Sequence, residues 1–112
     1  MPVEVKFTPE FKRNLRALSK KYRHIRYDIE PLIIDIQNGQ LPGNQVMGTG
    51  YTIFKVRVPN RDIRKGKSGG YRLIYYLQTK TDIILITIYS KTEQADISAS
   101  QIRRIVGEFE TG

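Results

Sequence analysis

Residues 71–90 read YRLIYYLQTKTDIILITIYS, two runs of β-branched and aromatic residues separated by the short polar segment TKT. Such runs favour strands, and a short polar connection between two of them predicts a β-hairpin. The second run, DIILITIYS (82–90), is apolar along almost its whole length. Continuous apolar character is typical of a strand covered on both faces, so we expect this strand to lie inside the sheet.

A third strand is predicted upstream of the hairpin, in YTIFKVRV (51–58). Successive side chains of a strand point to opposite faces, so Phe54, Val56 and Val58 share one face. Lys55 and Arg57 then lie on the other face, together with Ile53. The segment LPGNQVMGTG (41–50), which precedes this strand, is interpreted as a loop.

The N-terminal half predicts one strand and two helices. VEVKF (3–7) alternates like a short strand, and Thr8 followed by Pro9 is a favourable helix start. Pro31 interrupts the apolar pattern that follows, because proline lacks a donor and clashes with the preceding helical turn. We therefore expect a second helix to begin near Asp28 and to stop at Gly39.

The C-terminal segment predicts one more helix. SASQ (98–101) has the pattern of a capping box, and apolar residues follow it at helical spacing. The predicted order is strand, two helices, three strands and helix. This order indicates an α+β fold, in which a small antiparallel-rich β-sheet carries the helices on one face and leaves the other face partly exposed.

Length and composition indicate a single globular domain, 1–112, because 39% of the residues are hydrophobic and 27% are charged. The absence of cysteine excludes disulfides, thiolate zinc sites and cysteine nucleophiles. No apolar run is long enough for a membrane span, and the first ten residues lack the apolar stretch of a secretory signal. We therefore expect a cytoplasmic protein without a membrane partner.

The net charge of +8 is concentrated in residues 55–72, where seven basic residues accompany one acidic residue. This segment carries +6, and the rest of the chain carries +2. A local basic patch favours a polyanionic partner such as nucleic acid, and a solvated loop is the alternative. The basic residues are Lys55, Arg57, Arg61, Arg64, Lys65, Lys67 and Arg72.

Three stretches resemble the signature strands of the RelE/ParE superfamily of bacterial toxins, and within it the RelE- and HigB-type members most closely. They are GTGYTIFKVRV (48–58), KGKSGGYRLIYY (65–76) and ITIYSKTEQADIS (86–98), and the similarity spans about residues 3–106. The resemblance implies a β-α-α-β-β-β-α fold and the toxin of a type II toxin–antitoxin system. RelE- and HigB-like toxins cut mRNA in the ribosomal A site, and ParE members of the same fold poison DNA gyrase.

The resemblance also implies partners and site residues. The partners are a cognate antitoxin, in a hetero-oligomer, and the ribosome with its mRNA; no metal or other cofactor is implied. Lys55 and Arg57 match two basic strand residues that face RNA, and Arg72 matches the arginine that binds the reacting phosphate. Lys91 matches a basic position after the last strand. Two positions depart from the RelE pattern, which has arginine at Thr92 and tyrosine at Ser98.

Metal-independent RNA cleavage requires a base, an acid and cationic groups around the phosphate that the 2′-hydroxyl attacks. His24 is the only histidine, so a two-histidine mechanism is excluded. Glu93 and Asp96 are the carboxylate candidates. Glu93 follows the strand that should pair with that of Arg72, which favours a place near the site, and an exposed carboxylate before the last helix is the alternative. Asp96 is interpreted as a turn or helix-entry residue.

Tyrosines form a further group of candidates, since tyrosine can stack on a base or donate a proton. By strand parity Tyr76 shares a face with Arg72, and Tyr89 shares one with Lys91. Tyr71 is another proton-donor candidate, and Tyr75 is assigned to the core. The residues interpreted as RNA-binding are Arg61, Arg64, Lys65, Lys67, Tyr76 and Tyr89.

Three functions remain open at this stage. The first is a ribosome-dependent endoribonuclease that inhibits translation, and the second is a toxin of the same fold that acts on DNA gyrase. The third is an RNA- or antitoxin-binding module that has lost its catalytic activity, which the departures at Thr92 and Ser98 keep open.

Overall fold

The computed structural model describes residues 3–63 and 69–112 as five strands and three helices. In chain order these are β1 (Glu4–Phe7), α1 (Pro9–Lys21), α2 (Ile25–Gln37), β2 (Asn44–Val46), β3 (Ile53–Val58), β4 (Tyr71–Leu77), β5 (Asp82–Ser90) and α3 (Ala99–Thr111). The strands form one mixed sheet in the order β1-β5-β4-β3-β2. β1 is parallel to β5, and every other neighbouring pair is antiparallel.

The predicted hairpin is confirmed as β4 and β5, which pair in an antiparallel manner. β5 lies between β1 and β4, and its residues 83–90 are all buried. The interior position expected from its continuous apolar sequence is therefore confirmed, as is the α+β class with an antiparallel-rich sheet.

The expectation that the helices share one face of the sheet is wrong for α3. The helices α1 and α2 bury their apolar residues against the face that includes Leu73 and Leu85. On the opposite face α3 packs Ile102 and Ile105 against a second cluster that contains Ile74. Because α1 and α2 already cover the first face, the apolar stripe of α3 packs on apolar residues of the second.

Local signals set the starts of two helices as predicted. Thr8 Oγ1 accepts a hydrogen bond from Phe11 N at 3.0 Å, and Pro9 is the first residue of α1. Ser98 and Gln101 form the predicted capping box at the start of α3. Each of these caps satisfies backbone N–H groups that have no partner inside the helix.

Two other expectations are corrected. α2 begins at Ile25 rather than near Asp28, so Pro31 lies inside the helix instead of in its first turn. Ile25 is completely buried, and this burial offsets the loss of the helical hydrogen bond that proline cannot make. Within the expected loop 41–50, Asn44–Val46 pairs with β3 as an edge strand. Of the helices described here, none is long and apolar enough to span a bilayer.

Candidate nucleic-acid interface

α3 covers only part of its face of the sheet, and a cationic cleft lies on the remaining part. We use this name for the cavity of about 620 Å³ into which Lys55, Arg57, Arg72 and Lys91 converge. The cavity is completed by Pro42, Gly43, Asn44 and Val56. Four of the predicted site residues are therefore brought together on one side of the sheet.

Strand register explains this convergence. Arg57 on β3 lies directly opposite Arg72 on β4, and Arg72 lies opposite Tyr89 on β5. Lys55, two residues before Arg57 on the same face, pairs with Asn44 of the edge strand. Like charges directly opposite each other in a sheet are destabilising. The Arg57–Arg72 pair thus has a cost in stability that a bound anion would relieve.

The two arginines differ in their surroundings. Arg72 is only 6% exposed, and its Nη1 donates a hydrogen bond to the Tyr71 carbonyl at 3.2 Å. Arg57 is exposed, and within residues 3–63 and 69–112 its side chain makes no hydrogen bond or ion pair. A guanidinium offers a planar fork of donors that matches two oxygens of one phosphate.

Lys91 is held at the cleft by hydrogen bonds from its backbone and its side chain at the end of β5. Its N–H donates to the Gly70 carbonyl at 2.9 Å, and its ammonium donates to the Ala95 carbonyl. A side chain at Gly70 would place its Cβ 2.0 Å from the Val58 carbonyl oxygen. Glycine is required there because β3 and the start of β4 approach each other closely.

Asp96 is joined to the cleft through Lys55. Its Oδ1 accepts from Lys55 Nζ at 3.1 Å, from Tyr89 Oη at 3.4 Å and from Ile97 N at 2.8 Å. The Ile97 N–H and then the Lys55 ammonium hold the pKa of Asp96 below its usual value. Asp96 is therefore ionised at neutral pH.

Tyr89 keeps its proton at neutral pH. Burial, reinforced by the neighbouring Asp96 carboxylate and opposed by Arg72, raises the pKa of the Tyr89 hydroxyl to about 12. The residue is only 6% exposed and belongs to the cluster under α3. A stacking role for its ring is therefore not supported, and its hydroxyl is the part that reaches Asp96.

Glu93 was expected near the site but lies away from the cleft. Its Oε2 accepts from Tyr22 Oη at 3.2 Å and forms an ion pair with Lys21 Nζ at 3.6 Å. Both partners lie at the end of α1, on the other side of the sheet. Asp96, three residues later, is the carboxylate that reaches a cleft residue. The segment between β5 and α3 has no regular period, so its sequence holds no signal that separates the two.

The remaining tyrosine candidates are packed elsewhere. Tyr76 lies under α3, where its hydroxyl donates to Glu110 at 3.4 Å. Tyr71 is fully buried on the side of α1 and α2, so it cannot serve the cleft. Tyr75 is fully buried and stacks on Phe54 with ring centroids 5.2 Å apart, which confirms its assignment to the core.

The basic residues after Arg57 do not all extend the cleft. Arg61 Nε donates to Asp28 Oδ1 at 2.7 Å, which ties its side chain to α2. His24 makes a similar contact from its Nδ1 to Asp62 Oδ1 at 2.7 Å, outside the cleft. The expectations for Arg64, Lys65 and Lys67 lie outside the described residues.

The two positions that depart from the RelE pattern have local structural roles. Ser98 Oγ accepts from Gln101 N at 3.1 Å and caps α3. Thr92 Oγ1 lies 3.0 Å from Ser90 Oγ at the end of β5. No protein-family model matches this chain.

Proposed function

We propose that this protein is the toxin of a type II toxin–antitoxin system and a ribosome-dependent endoribonuclease that cuts mRNA in the ribosomal A site. The observation that carries the proposal is the convergence of Lys55, Arg57, Arg72 and Lys91 on one open cleft. RNA offers the matching array of phosphates, and clustered cations on one face are the electrostatic mark of a nucleic-acid partner.

The proposed reaction forms a bond between the 2′-oxygen and phosphorus, with the 2′-hydroxyl proton passing to solvent water, and breaks the bond from phosphorus to the 5′-oxygen. Arg57 and Arg72 offset the negative charge that builds on the phosphate oxygens. Tyr89, protonated at neutral pH, provides a proton beside Arg72 for the leaving 5′-oxygen. A ribosome that holds the mRNA with its 2′-oxygen in line supplies much of the acceleration by positioning.

The same proposal includes a cytoplasmic location and a cognate antitoxin that covers the cleft in a hetero-oligomer. An antitoxin that acts in this way must compete with RNA for the four cations. Acidic side chains on the antitoxin would meet this requirement, because carboxylates pair with the same guanidinium and ammonium groups.

The test is cleavage of a defined mRNA by purified protein, with and without ribosomes, mapped by primer extension. We expect cuts only when ribosomes are present. Arg72→Lys keeps the positive charge but removes the planar fork, and should lower the rate by on the order of 10²-fold. Lys12→Gln is the control, since Lys12 is exposed on α1 and should cut at the wild-type rate.

Other outcomes would identify a different function. Equal cutting of free mRNA would contradict the dependence on ribosomes. Inhibition of DNA gyrase without mRNA cuts would indicate a toxin of the ParE type. Binding of RNA or antitoxin without either activity would indicate a module that has lost its chemistry.

A further inference from the structure

One short segment of the chain holds both lysines of the cationic cleft. In residues 91–98, which join β5 to α3, the Ala95 carbonyl accepts from Lys91 Nζ and the Asp96 carboxylate accepts from Lys55 Nζ. The two ammonium groups thus already have oxygen acceptors that belong to the protein itself. These two oxygen acceptors therefore occupy ammonium groups that a bound phosphate would otherwise use.

The Asp96 carboxylate contacts these donors from the solvent side. Its side chain is 66% exposed, whereas that of Lys55 is 36% exposed and Tyr89 is 6% exposed. A single oxygen, Oδ1, receives the Lys55 ammonium, the Tyr89 hydroxyl and the Ile97 N–H. Lys55 is one of the cations that line the cleft, and the Tyr89 hydroxyl is the proton donor of the proposed reaction.

We propose that Asp96 is an internal competitor of the RNA: its carboxylate occupies the place where a backbone phosphate oxygen binds Lys55 and Tyr89, and RNA binding expels it. This inference rests on the proposed function in taking RNA as the ligand. It adds a regulatory contact, by which the RNA-free protein keeps its own cleft partly neutralised.

The exchange is energetically accessible. Ion pairs between exposed side chains shift an equilibrium by about fivefold at most, so a phosphate can replace this one. The low pKa of Asp96 keeps it negative at neutral pH, and a carboxylate left close to the bound phosphate would be repelled. Asp96 lies outside helices and strands, so its movement breaks no regular element.

The decisive experiment compares Asp96→Asn with Glu93→Gln. Both substitutions remove one negative charge from the same segment, but Glu93 is paired with Lys21 and Tyr22 away from the cleft. Asparagine retains a side-chain oxygen that can accept from Ile97 N–H, so the local structure should persist. The probe is a fluorescent 2′-O-methyl oligouridylate, which cannot be cut, and its affinity is read by anisotropy.

We expect Asp96→Asn to bind the probe about fivefold more tightly than the wild type, and Glu93→Gln to bind within about twofold of it. Combining Asp96→Asn with Lys55→Gln in one variant tests whether Asp96 acts through Lys55. Since Asp96 acts through Lys55, Asp96→Asn should have little effect on affinity when Lys55 is already absent.

Weaker binding by Asp96→Asn would show that Asp96 positions Lys55 for RNA, and would overturn the proposal. An equal gain in affinity for Asp96→Asn and Glu93→Gln, or a gain that persists without Lys55, would attribute the effect to the overall charge of the protein. Either result would overturn the proposal. Failure of both the wild type and Asp96→Asn to bind would also overturn it. Ribosome-dependent cutting by the wild type is scored separately, so the competitor role and the endoribonuclease activity can fail independently.

Discussion

Arg57 and Arg72 form a like-charged pair across β3 and β4, and this pair should lower the stability of the free protein. We predict that Arg57→Thr raises the free energy of unfolding by about 0.2–1 kcal/mol, because it removes the repulsion. Urea denaturation at low salt measures this, since screening is weakest there.

The matched control for Arg57→Thr is Lys55→Thr, on the same strand and face. Lys55 lies opposite Ile74 and is paired with Asp96, so its removal relieves no repulsion between directly opposite residues. We therefore expect Lys55→Thr not to raise the free energy of unfolding. A gain of the same size in both variants would attribute the effect to the strand preference of threonine.

Tyr71 and Tyr89 are both buried tyrosines near the ends of paired strands, and the surroundings of their hydroxyl groups differ. Within the described part of the chain the Tyr71 hydroxyl has no hydrogen-bond partner, whereas that of Tyr89 donates to Asp96. Tyr71→Phe should leave the free energy of unfolding unchanged or raise it by about 1 kcal/mol, because it removes an unsatisfied buried group.

The functional part of the same prediction separates the two residues. We expect Tyr71→Phe to cut mRNA on ribosomes like the wild type and Tyr89→Phe to cut more slowly while remaining folded. Primer extension and thermal denaturation on the two variants provide the measurement. An equal loss of cutting in both would contradict the placement of Tyr71 outside the site.

At the scale of elements, the contact between β3 and the start of β4 depends on Gly70. A methyl group there would meet the Val58 carbonyl oxygen at 2.0 Å, so the strands must separate. We predict that Gly70→Ala lowers the free energy of unfolding by about 1–3 kcal/mol. Since Arg72 follows two residues later, mRNA cutting should fall as well.

Gly107 provides the opposite case in the same protein. It lies inside α3, and nothing lies within 4 Å of the Cβ that alanine would add. Gly107→Ala should raise the free energy of unfolding by about 0.5–1 kcal/mol, because alanine favours the helix. Urea midpoints of the two variants should therefore move in opposite directions, and a shared direction would contradict this account.

Elements whose signals are local could be predicted from the sequence, and those that depend on distant partners could not. Thr8 and Ser98 cap helices through hydrogen bonds to residues three positions later. The face on which α3 packs is decided by what α1 and α2 leave uncovered. Strand alternation likewise predicted where Lys55 and Arg57 point, but no periodicity relates Glu93 or Asp96 to the cleft.

Strand alternation also places part of the positive charge of the molecule on one face of the sheet. Of the basic residues in segment 55–72 that the structure describes, three line the cleft, and Arg61 turns away to Asp28. The net charge of +8 attracts any polyanion at long range, whereas the cleft presents its cations at a fixed spacing. These two contributions predict different responses to salt and to substitution.

The salt dependence of RNA binding measures how many phosphates the cleft neutralises. For single strands the logarithm of the affinity falls with the logarithm of the salt concentration by about 0.7 per phosphate, so four cations predict a slope of about −3. Arg57→Gln should make this slope shallower by about 0.7. Lys12→Gln removes the same charge from exposed α1 and should leave the slope unchanged, because Lys12 contacts no phosphate. If the two variants changed the slope equally, RNA would be held by the overall charge of the protein. This result would contradict the assignment of the cleft as the binding site.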